Sequence, residues 1–325
     1  MKHRVGCRFF LVALVIGLAI LLTIPLLLPT TTMTGLYSPQ DLADPDSQFV
    51  DINGTQVHLK TMGEGEPVFV LLHGFASSLY TWQPVMEELS QHGRVIAYDR
   101  TGFGLSERPL TWEGQNPYGS EAQVDLLTGL LDHYGVEKAI LVGNSAGGTV
   151  AMQTALAHPE RVSALILADP AVYSGGGAPD WLKPLLGTSS MRRLGPLLTR
   201  TMLNRSSQLI KMAWHNPALL SDEMIENYKK PLQVENWDKA LWEFTLASRP
   251  PDLAERLKEL TLPVLVITGD DDRIVPPADS IRLAGELPNA DLEVIDEAGH
   301  VPHEEQPQAF LREVNRFLQR IQTEE

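Results

Sequence analysis

Hydrophobic residues in this chain are grouped into short runs separated by longer amphipathic segments. Most runs are rich in valine, isoleucine and leucine, and they are only four to six residues long. They occupy residues 67–72, 94–98, 139–142, 164–167, 263–268 and 290–295. Because a strand that is buried on both faces reads as a nearly continuous apolar run, this pattern predicts a parallel sheet covered on both sides.

The segments between these runs have apolar positions at helical spacing. The predicted helices are residues 81–91, 120–134, 146–158, 278–287 and 308–322. Strands that alternate with helices in this way indicate an α/β fold built on a doubly wound, mostly parallel sheet. We assign this domain to residues 51–322.

One long interval, residues 171–260, contains no good strand pattern. It holds four of the six tryptophans, namely Trp181, Trp214, Trp237 and Trp242. We expect these residues to form an inserted helical cap that folds over the sheet. Most of the bulky side chains would build the core of the cap, and a few would face the cleft beneath it.

The N-terminal region has the pattern of a membrane element. Residues 9–28 are apolar and uncharged, and twenty helical residues span roughly 30 Å, the thickness of the hydrocarbon core of a bilayer. Lys2, Arg4 and Arg8 precede the run, which favours a cytoplasmic N-terminus. The sequence thus predicts a single-pass signal-anchor with an extracytoplasmic domain, a cleaved signal peptide being the alternative. Residues 29–50, rich in Pro, Thr, Ser and Asp, read as a linker.

Charge and composition exclude several classes of function. The 41 acidic residues outnumber the 26 basic ones, and a net charge of −15 repels phosphate backbones, so no nucleic-acid partner is expected. The single cysteine, Cys7, excludes an intrachain disulfide and any multi-cysteine metal site. Histidine and aspartate are not clustered at metal-ligand spacing, and no phosphate-binding loop motif is present. We therefore expect neither a metal nor a cofactor.

Residues 143–147 carry the strongest chemical motif, a G-x-S-x-G sequence centred on Ser145. The motif follows a predicted strand and precedes a predicted helix, which is the context of a nucleophile elbow. Flanking glycines remove side chains that would clash in such a tight turn. The following helix would point its N-terminus at the site and favour developing negative charge.

On this motif and the order of its elements, the chain resembles the α/β-hydrolase superfamily over roughly residues 50–322. The resemblance implies a catalytic acid at Asp272, three residues after the glycine of the G-D-D-D turn, and a general base at His300. Asp169 is a rival for the acid, because some members of the superfamily carry it after the preceding strand. His303 is expected on the surface.

The same resemblance implies an oxyanion hole. Residues 73–75 read H-G-F and match the turn that builds half of it, so the donors would be the backbone N–H groups of Phe75 and Ala146. His73 is expected to be a buried hydrogen-bonding residue. Residues 99–106 match a D-x-x-G-x-G-x-S turn, to which we give a structural role.

Serine at the nucleophile position disfavours haloalkane dehalogenases and epoxide hydrolases, which use aspartate there. The sequence therefore predicts a serine hydrolase that cleaves carboxylic esters through an acyl-enzyme, with a small-molecule acyl-chain or monoacylglycerol-like substrate. The alternatives are a C–C bond hydrolase of the meta-cleavage-product type, an acyltransferase, and a non-catalytic ligand receptor on the same fold. The N-S-x-G-G elbow favours the C–C hydrolase, whereas the absence of aromatic residues just after His300 counts against it.

Overall fold

A computed structural model describes residues 12–13, 16–17, 19–20, 23–27, 36–173, 177–203, 206–248 and 252–324. Within these residues, eight strands form one sheet in the order β1-β2-β4-β3-β5-β6-β7-β8. The strands are β1 (Gln48–Ile52), β2 (Thr55–Met62), β3 (Val68–Leu72), β4 (Arg94–Tyr98), β5 (Ala139–Asn144), β6 (Val162–Ala168), β7 (Val264–Gly269) and β8 (Ala290–Ile295). All pairings from β4 to β8 are parallel, as the apolar runs predict.

The sequence pattern does not predict β1 and β2, which form the antiparallel edge of the sheet. These two strands pair with each other and with β4 in antiparallel register. One face of β2 is partly exposed, so polar residues interrupt its apolar pattern. The two strands are joined by Asn53 and Gly54, both at positive φ, and this Asn-Gly pair is the usual signal of a tight hairpin.

Helices cover both faces of the sheet. They are α1 (Pro39–Leu42), α2 (Gln83–Leu89), α3 (Ser120–His133), α4 (Ala146–Ala157), α5 (Lys183–Leu186), α6 (Ser189–Leu203), α7 (Ser206–Ala213), α8 (Asp222–Lys229), α9 (Trp237–Ala247), α10 (Leu253–Arg256), α11 (Pro277–Glu286), α12 (Pro302–Glu305) and α13 (Pro307–Glu324). Side chains of α3, α4 and α11 join one buried hydrophobic cluster, and those of α2 and α13 join the other. The sheet is therefore doubly wound.

Helices α5 to α10 lie between β6 and β7, in the interval assigned to the cap. Phe244 of α9 packs against Phe75 and Phe103 of the sheet domain, with ring centroids 5.6 and 4.8 Å apart. Trp214, Trp237 and Trp242 are buried, whereas Trp181 is 80% exposed.

The region assigned to a linker, residues 29–50, overlaps the start of β1, and its last residues are bound to the rest of the protein. The Asp44 carboxylate accepts hydrogen bonds from Lys60 and Lys230, both at 2.8 Å. Burial alone would raise the pKa of Asp44, but these two ammonium groups lower it to about 2. This ion cluster ties the segment to β2 and to the cap.

The structure contradicts the predicted membrane anchor. In the described part of the chain, no helix combines the length and the apolar character that crossing a membrane requires. Of the predicted span, residues 9–28, only residues 12–13, 16–17, 19–20 and 23–27 are among those that the structure describes. The remainder of that segment lies outside the described residues. The predictions of a single-pass membrane location, a membrane partner and an extracytoplasmic domain are corrected accordingly.

The turn after β4 is organised around the fully buried carboxylate of Asp99. Its Oδ1 accepts the N–H of Leu79 at 2.7 Å, and its Oδ2 accepts the N–H of Leu105 and contacts Nδ1 of His58, each at 2.7 Å. Burial alone would raise the pKa of Asp99, but the His58 contact and these N–H donors hold it below its ordinary value. A Cβ at Gly104 would lie only 1.8 Å from the carboxylate carbon.

We expect Gly104→Ala to lower the free energy of unfolding by at least about 3 kcal/mol, because it combines positive φ with a clash against a buried carboxylate. Gly114 is the matched control, since it also has positive φ but has no atom within 4 Å of an added Cβ. Gly114→Ala should cost only about 1–2 kcal/mol. Urea unfolding of both variants measures this, and equal losses would contradict the structural role of the turn.

Candidate active site

Ser145 lies between the last residue of β5 and the first residue of α4, with φ 52° and ψ −120°. Residues other than glycine rarely adopt this backbone conformation, and its energetic cost is balanced by the packing of the surrounding residues. A Cβ at Gly143 would lie 2.6 Å from Cα of Gly148, and one at Gly147 would lie 2.2 Å from the carbonyl oxygen of Leu72. The predicted steric reason for the glycines is therefore visible in the backbone contacts.

His300 and Asp272 lie in the loops that follow β8 and β7, and their side chains are in contact. Nδ1 of His300 is 2.7 Å from Oδ2 of Asp272. The other oxygen of Asp272 accepts the N–H groups of Ile274 at 2.7 Å and Val275 at 3.0 Å, which fixes the carboxylate. Both residues are buried. A carboxylate at Nδ1 selects the tautomer in which Nε2 can accept a proton.

Asn144 connects the elbow to the histidine loop. Its side-chain nitrogen donates to the carbonyl oxygens of His300 at 3.0 Å and of Ala168 at 3.2 Å. Between Ser145 Oγ and the His300 imidazole, the described chain shows no hydrogen bond within 3.5 Å. Catalytic hydrogen bonds are often long without substrate and tighten when it binds.

The rival acid, Asp169, lies beside Asp272 and does not contact the histidine. Its Oδ1 accepts the hydroxyl of Thr268 at 2.6 Å and the N–H of Gly269 at 3.2 Å. Burial, followed by the negative charge of Asp272, raises the pKa of Asp169 well above its ordinary value. The carboxyl group is therefore neutral at pH values where an exposed aspartate is charged.

The two expected oxyanion donors belong to residues next to the elbow. Ala146 is the first residue of α4, so its N–H has no partner within the helix. Gly74, which precedes Phe75, lies against the elbow, because a Cβ built on it would be 3.3 Å from Cβ of Ser145. In the described chain, the N–H of Phe75 donates to no other protein atom.

A cavity of about 320 Å³ opens at Ser145, beneath α9 of the cap. Its apolar lining residues include Phe75, Val150, Phe244, Ile274 and Val275. Its polar lining residues include Arg100, Tyr118, Gln123, Thr149 and Gln153. None of the four cap tryptophans is among the residues that line it, so in the described residues no tryptophan meets the expectation that a few of the bulky side chains of the cap face the cleft.

His303 and Glu304, which follow the histidine loop, are buried, so the expected surface position of His303 is wrong. The His303 ring stacks on Trp82 at 4.1 Å, and its Nε2 lies 2.9 Å from Oγ1 of Thr81. Burial lowers the pKa of His303 to about 3. Glu304 accepts the hydroxyls of Thr81 and Tyr228. Thr81 and Trp82 lie more than two hundred positions earlier and Tyr228 lies 76 positions earlier, so sequence spacing does not reveal this burial.

Glu304 also borders a second cavity of about 270 Å³ between the sheet domain and α8. Burial raises its pKa to about 7, whereas hydrogen bonds from the two hydroxyls act in the opposite direction. In the described residues, no group of three or more His, Cys, Asp or Glu side chains is arranged to hold a metal ion.

The raised pKa of Glu304 makes a prediction for stability. A carboxyl whose pKa is higher in the folded state stabilises the protein fully below its unfolded-state pKa of about 4.5, and this contribution is lost as the pH rises to about 7. The free energy of unfolding of the wild-type protein should therefore fall by about 3 kcal/mol over that pH range, and this fall should be absent in Glu304→Gln. Unfolding free energies measured between pH 4 and 8 test this. Glu223→Gln, an exposed change in the same cavity, is the control and should leave the wild-type slope unchanged.

Comparison with known proteins agrees with this geometry. The family model described as alpha/beta hydrolase fold matches residues 67–307. The 2-hydroxy-6-oxononadienedioate/2-hydroxy-6-oxononatrienedioate hydrolase of Burkholderia vietnamiensis is 31% identical over 290 residues, which cover 84% of this chain and 96% of the relative. The 2-hydroxy-6-oxo-2,4-heptadienoate hydrolase of Pseudomonas putida is 33% identical over 279 residues, covering 82% and 93%.

The solved structure of a thermophilic esterase from Thermogutta terrifontis is also similar, with a TM-score of 0.69 and 28% identity. The alignment covers 84% of this chain and 99% of the esterase. The family model, these relatives and the strand order of the sheet lead to one assignment. The chain belongs to the α/β-hydrolase family.

Proposed function

We propose that this enzyme hydrolyses a carbon–carbon bond in a 2-hydroxy-6-oxo-dienoate, the class of compound named for its relatives. The observation that carries the proposal is their identity of 31–33% over more than four-fifths of both chains. Such a compound has a ketone, an enol and carboxylates but no ester or amide. A hydrolase that acts on it therefore has to cleave the bond next to the ketone. The 2-hydroxy-6-oxo-dienoate therefore replaces the carboxylic ester as the leading substrate class.

Ser145 is the proposed nucleophile. Its oxygen adds to the 6-oxo carbon while Nε2 of His300 accepts the hydroxyl proton. The contact between Asp272 and Nδ1 of His300, at 2.7 Å, supports this role because it stabilises the imidazolium that forms. The N–H groups of Phe75 and Ala146 donate to the resulting oxyanion.

The tetrahedral intermediate then collapses by breaking the bond between C5 and C6. The substrate reaches this step as its 2-oxo tautomer, in which the proton of the 2-hydroxyl group has moved to C5. The electron pair of the broken bond is therefore delocalised over C5, C3 and the 2-oxo oxygen, and the imidazolium of His300 returns a proton to that oxygen, which gives the 2-hydroxydienoate product. The acyl group stays on Ser145 as an ester. His300 next removes a proton from water, which attacks this ester and releases a carboxylic acid and the free enzyme.

The cavity supports a compact substrate. Its volume of about 320 Å³ lies at the lower end of the range for small-molecule sites. Tyr118, Gln123 and Gln153 provide polar groups that suit enol and carboxylate oxygens.

Ester hydrolysis is the second candidate. The likeness to a solved esterase favours it, and the same three side chains serve either reaction. An ester differs from the dienoate only in its leaving group, which is an alkoxide oxygen instead of a stabilised carbanion.

The substrate class is tested by comparing kcat/KM for 2-hydroxy-6-oxonona-2,4-dienedioate, followed by loss of its ultraviolet absorbance, with that for p-nitrophenyl butyrate. We expect the dienedioate to be favoured by about 10²-fold or more, because its polar groups can pair with the polar residues that line the cavity. Ser145→Ala should abolish both activities without changing the melting temperature greatly. Turnover of the ester but not of the dienedioate would make the enzyme an esterase.

The choice of acid is tested with a pair of isosteric variants. Asp272→Asn should lower kcat by about 10⁴-fold, since the amide favours the wrong histidine tautomer. Asp169→Asn should cost less than about tenfold, because the asparagine matches the neutral state of the buried carboxyl. Steady-state kinetics on either substrate distinguishes them. A larger loss in Asp169→Asn than in Asp272→Asn would reverse the assignment.

A further inference from the structure

Arg100, the second residue after β4, is a buried cation that the mechanism above does not use. It is only 1% exposed, although it borders the cavity at Ser145. Burial lowers its pKa to about 10, so the guanidinium is charged at neutral pH. In the part of the chain that the structure describes, no carboxylate lies within 4.0 Å of it. Burying a charge that has no counter-ion destabilises the folded protein, so such a residue is expected to have a specific role.

The guanidinium is directed at one peptide group. Nη2 of Arg100 donates to the carbonyl oxygen of Gly74 at 3.1 Å. The same oxygen is 2.8 Å from Nδ1 of His73. The backbone N–H of Arg100 donates to Nε2 of His73 at 3.1 Å, so the imidazole proton is on Nδ1 and is shared with Gly74. The Gly74 carbonyl is therefore held by two donors, one of them charged.

This carbonyl belongs to the same planar peptide group as the N–H of Phe75. The peptide is trans, so the N–H points in the direction opposite to the carbonyl. Holding the oxygen from one side therefore fixes the direction of the N–H on the other. Gly74 lies against the elbow, where an added Cβ would be 2.9 Å from Oδ1 of Asn144 and 3.3 Å from Cβ of Ser145.

We propose that Arg100 is a positioning residue of the oxyanion hole, which orients the N–H of Phe75 by binding the Gly74 carbonyl. This inference rests on the proposed role of Ser145 as nucleophile. The positive charge also polarises the peptide, because a cation at the carbonyl oxygen makes the N–H a stronger donor. Both effects act on the transition state, in which the oxyanion carries its charge, more than on the neutral substrate.

The ring of Phe103 keeps the guanidinium in place. The Arg100 Cζ atom lies 5.0 Å from the centroid of that ring, which also packs against Phe75 and Phe244. The arginine is thus confined between an aromatic face and the peptide that it orients. The bond from Nη2 to Gly74 is the contact that the positioning role requires.

The test uses Arg100→Met and Arg100→Lys, with Arg108→Met as the matched control. Arg108 is a second buried arginine, two residues after the turn formed by residues 99–106, and it donates to the carbonyls of Ser106 and Gly104 but not to Gly74. The substrate is p-nitrophenyl butyrate, which carries no negative charge. Inhibition by an alkyl trifluoromethyl ketone, whose adduct with a serine is an oxyanion mimic, is measured on each variant.

We expect Arg100→Met to lower kcat on the neutral ester by about 10- to 100-fold with KM changed less than about twofold. Affinity for the trifluoromethyl ketone should fall by a similar factor, and Arg100→Lys should recover part of both. Arg108→Met should reduce the melting temperature but leave kcat and inhibitor affinity near wild type. Because these assays use an uncharged ester, they do not depend on the dienedioate. If the dienedioate is not a substrate, the proposed C–C activity is contradicted, but the test of Arg100 as a positioning residue still stands.

Two results would overturn the positioning role. A loss confined to the dienedioate, with a raised KM and an unchanged kcat on the neutral ester, would make Arg100 a binding site for the substrate carboxylate. Equal losses in Arg100→Met and Arg108→Met, in proportion to their melting temperatures, would show that both arginines only maintain the turn.

Discussion

The close approach of the first turn of α4 to β3 is the constraint on which the site depends. A Cβ at Gly147 would lie 2.2 Å from the carbonyl oxygen of Leu72, so no other residue allows the helix to start there. This contact holds Ser145 at φ 52°, at the carboxyl end of the sheet. The other parts of the site are attached to the same point, since Asn144 binds the carbonyl of His300 and Gly74 packs against the elbow.

Charge is arranged asymmetrically around this point. On one side, Asp272 contacts the histidine, while burial and the charge of Asp272 raise the pKa of the neighbouring Asp169 well above its ordinary value, which disfavours a second negative charge beside the imidazole. On the other side, the guanidinium of Arg100 binds the carbonyl of the peptide whose N–H is the proposed oxyanion donor. The proposed transition state consists of an imidazolium and an oxyanion. Each charge therefore has a fixed, opposite partner, and little reorganisation is needed during the reaction.

The sequence predicted most of this fold because parallel strands that are buried on both faces leave continuous apolar runs. The strand β2 was not predicted because it is half exposed and its apolar pattern is interrupted, although Asn53 and Gly54 are a sequence signal of a hairpin. The adjacency of His300 and Asp272 came from the resemblance to a family, whereas their distance required the structure. The roles of Arg100 and Glu304 were not predictable, because they depend on burial against residues distant in the chain. The predicted anchor was wrong because apolar composition alone does not establish a spanning helix.

The central claim is that Ser145 forms a covalent acyl-enzyme when the enzyme cleaves a carbon–carbon bond of its substrate. Cleavage of 2-hydroxy-6-oxonona-2,4-dienedioate between C5 and C6 transfers its last four carbons, so the account predicts a succinyl ester on Ser145. The direct measurement is rapid chemical quenching within the first turnover, followed by mass spectrometry of the peptide that contains Ser145. A succinyl adduct on that peptide, absent from Ser145→Ala, is the predicted result. Cleavage of the substrate at the wild-type rate by Ser145→Ala, with no adduct on the wild-type enzyme, would contradict the account.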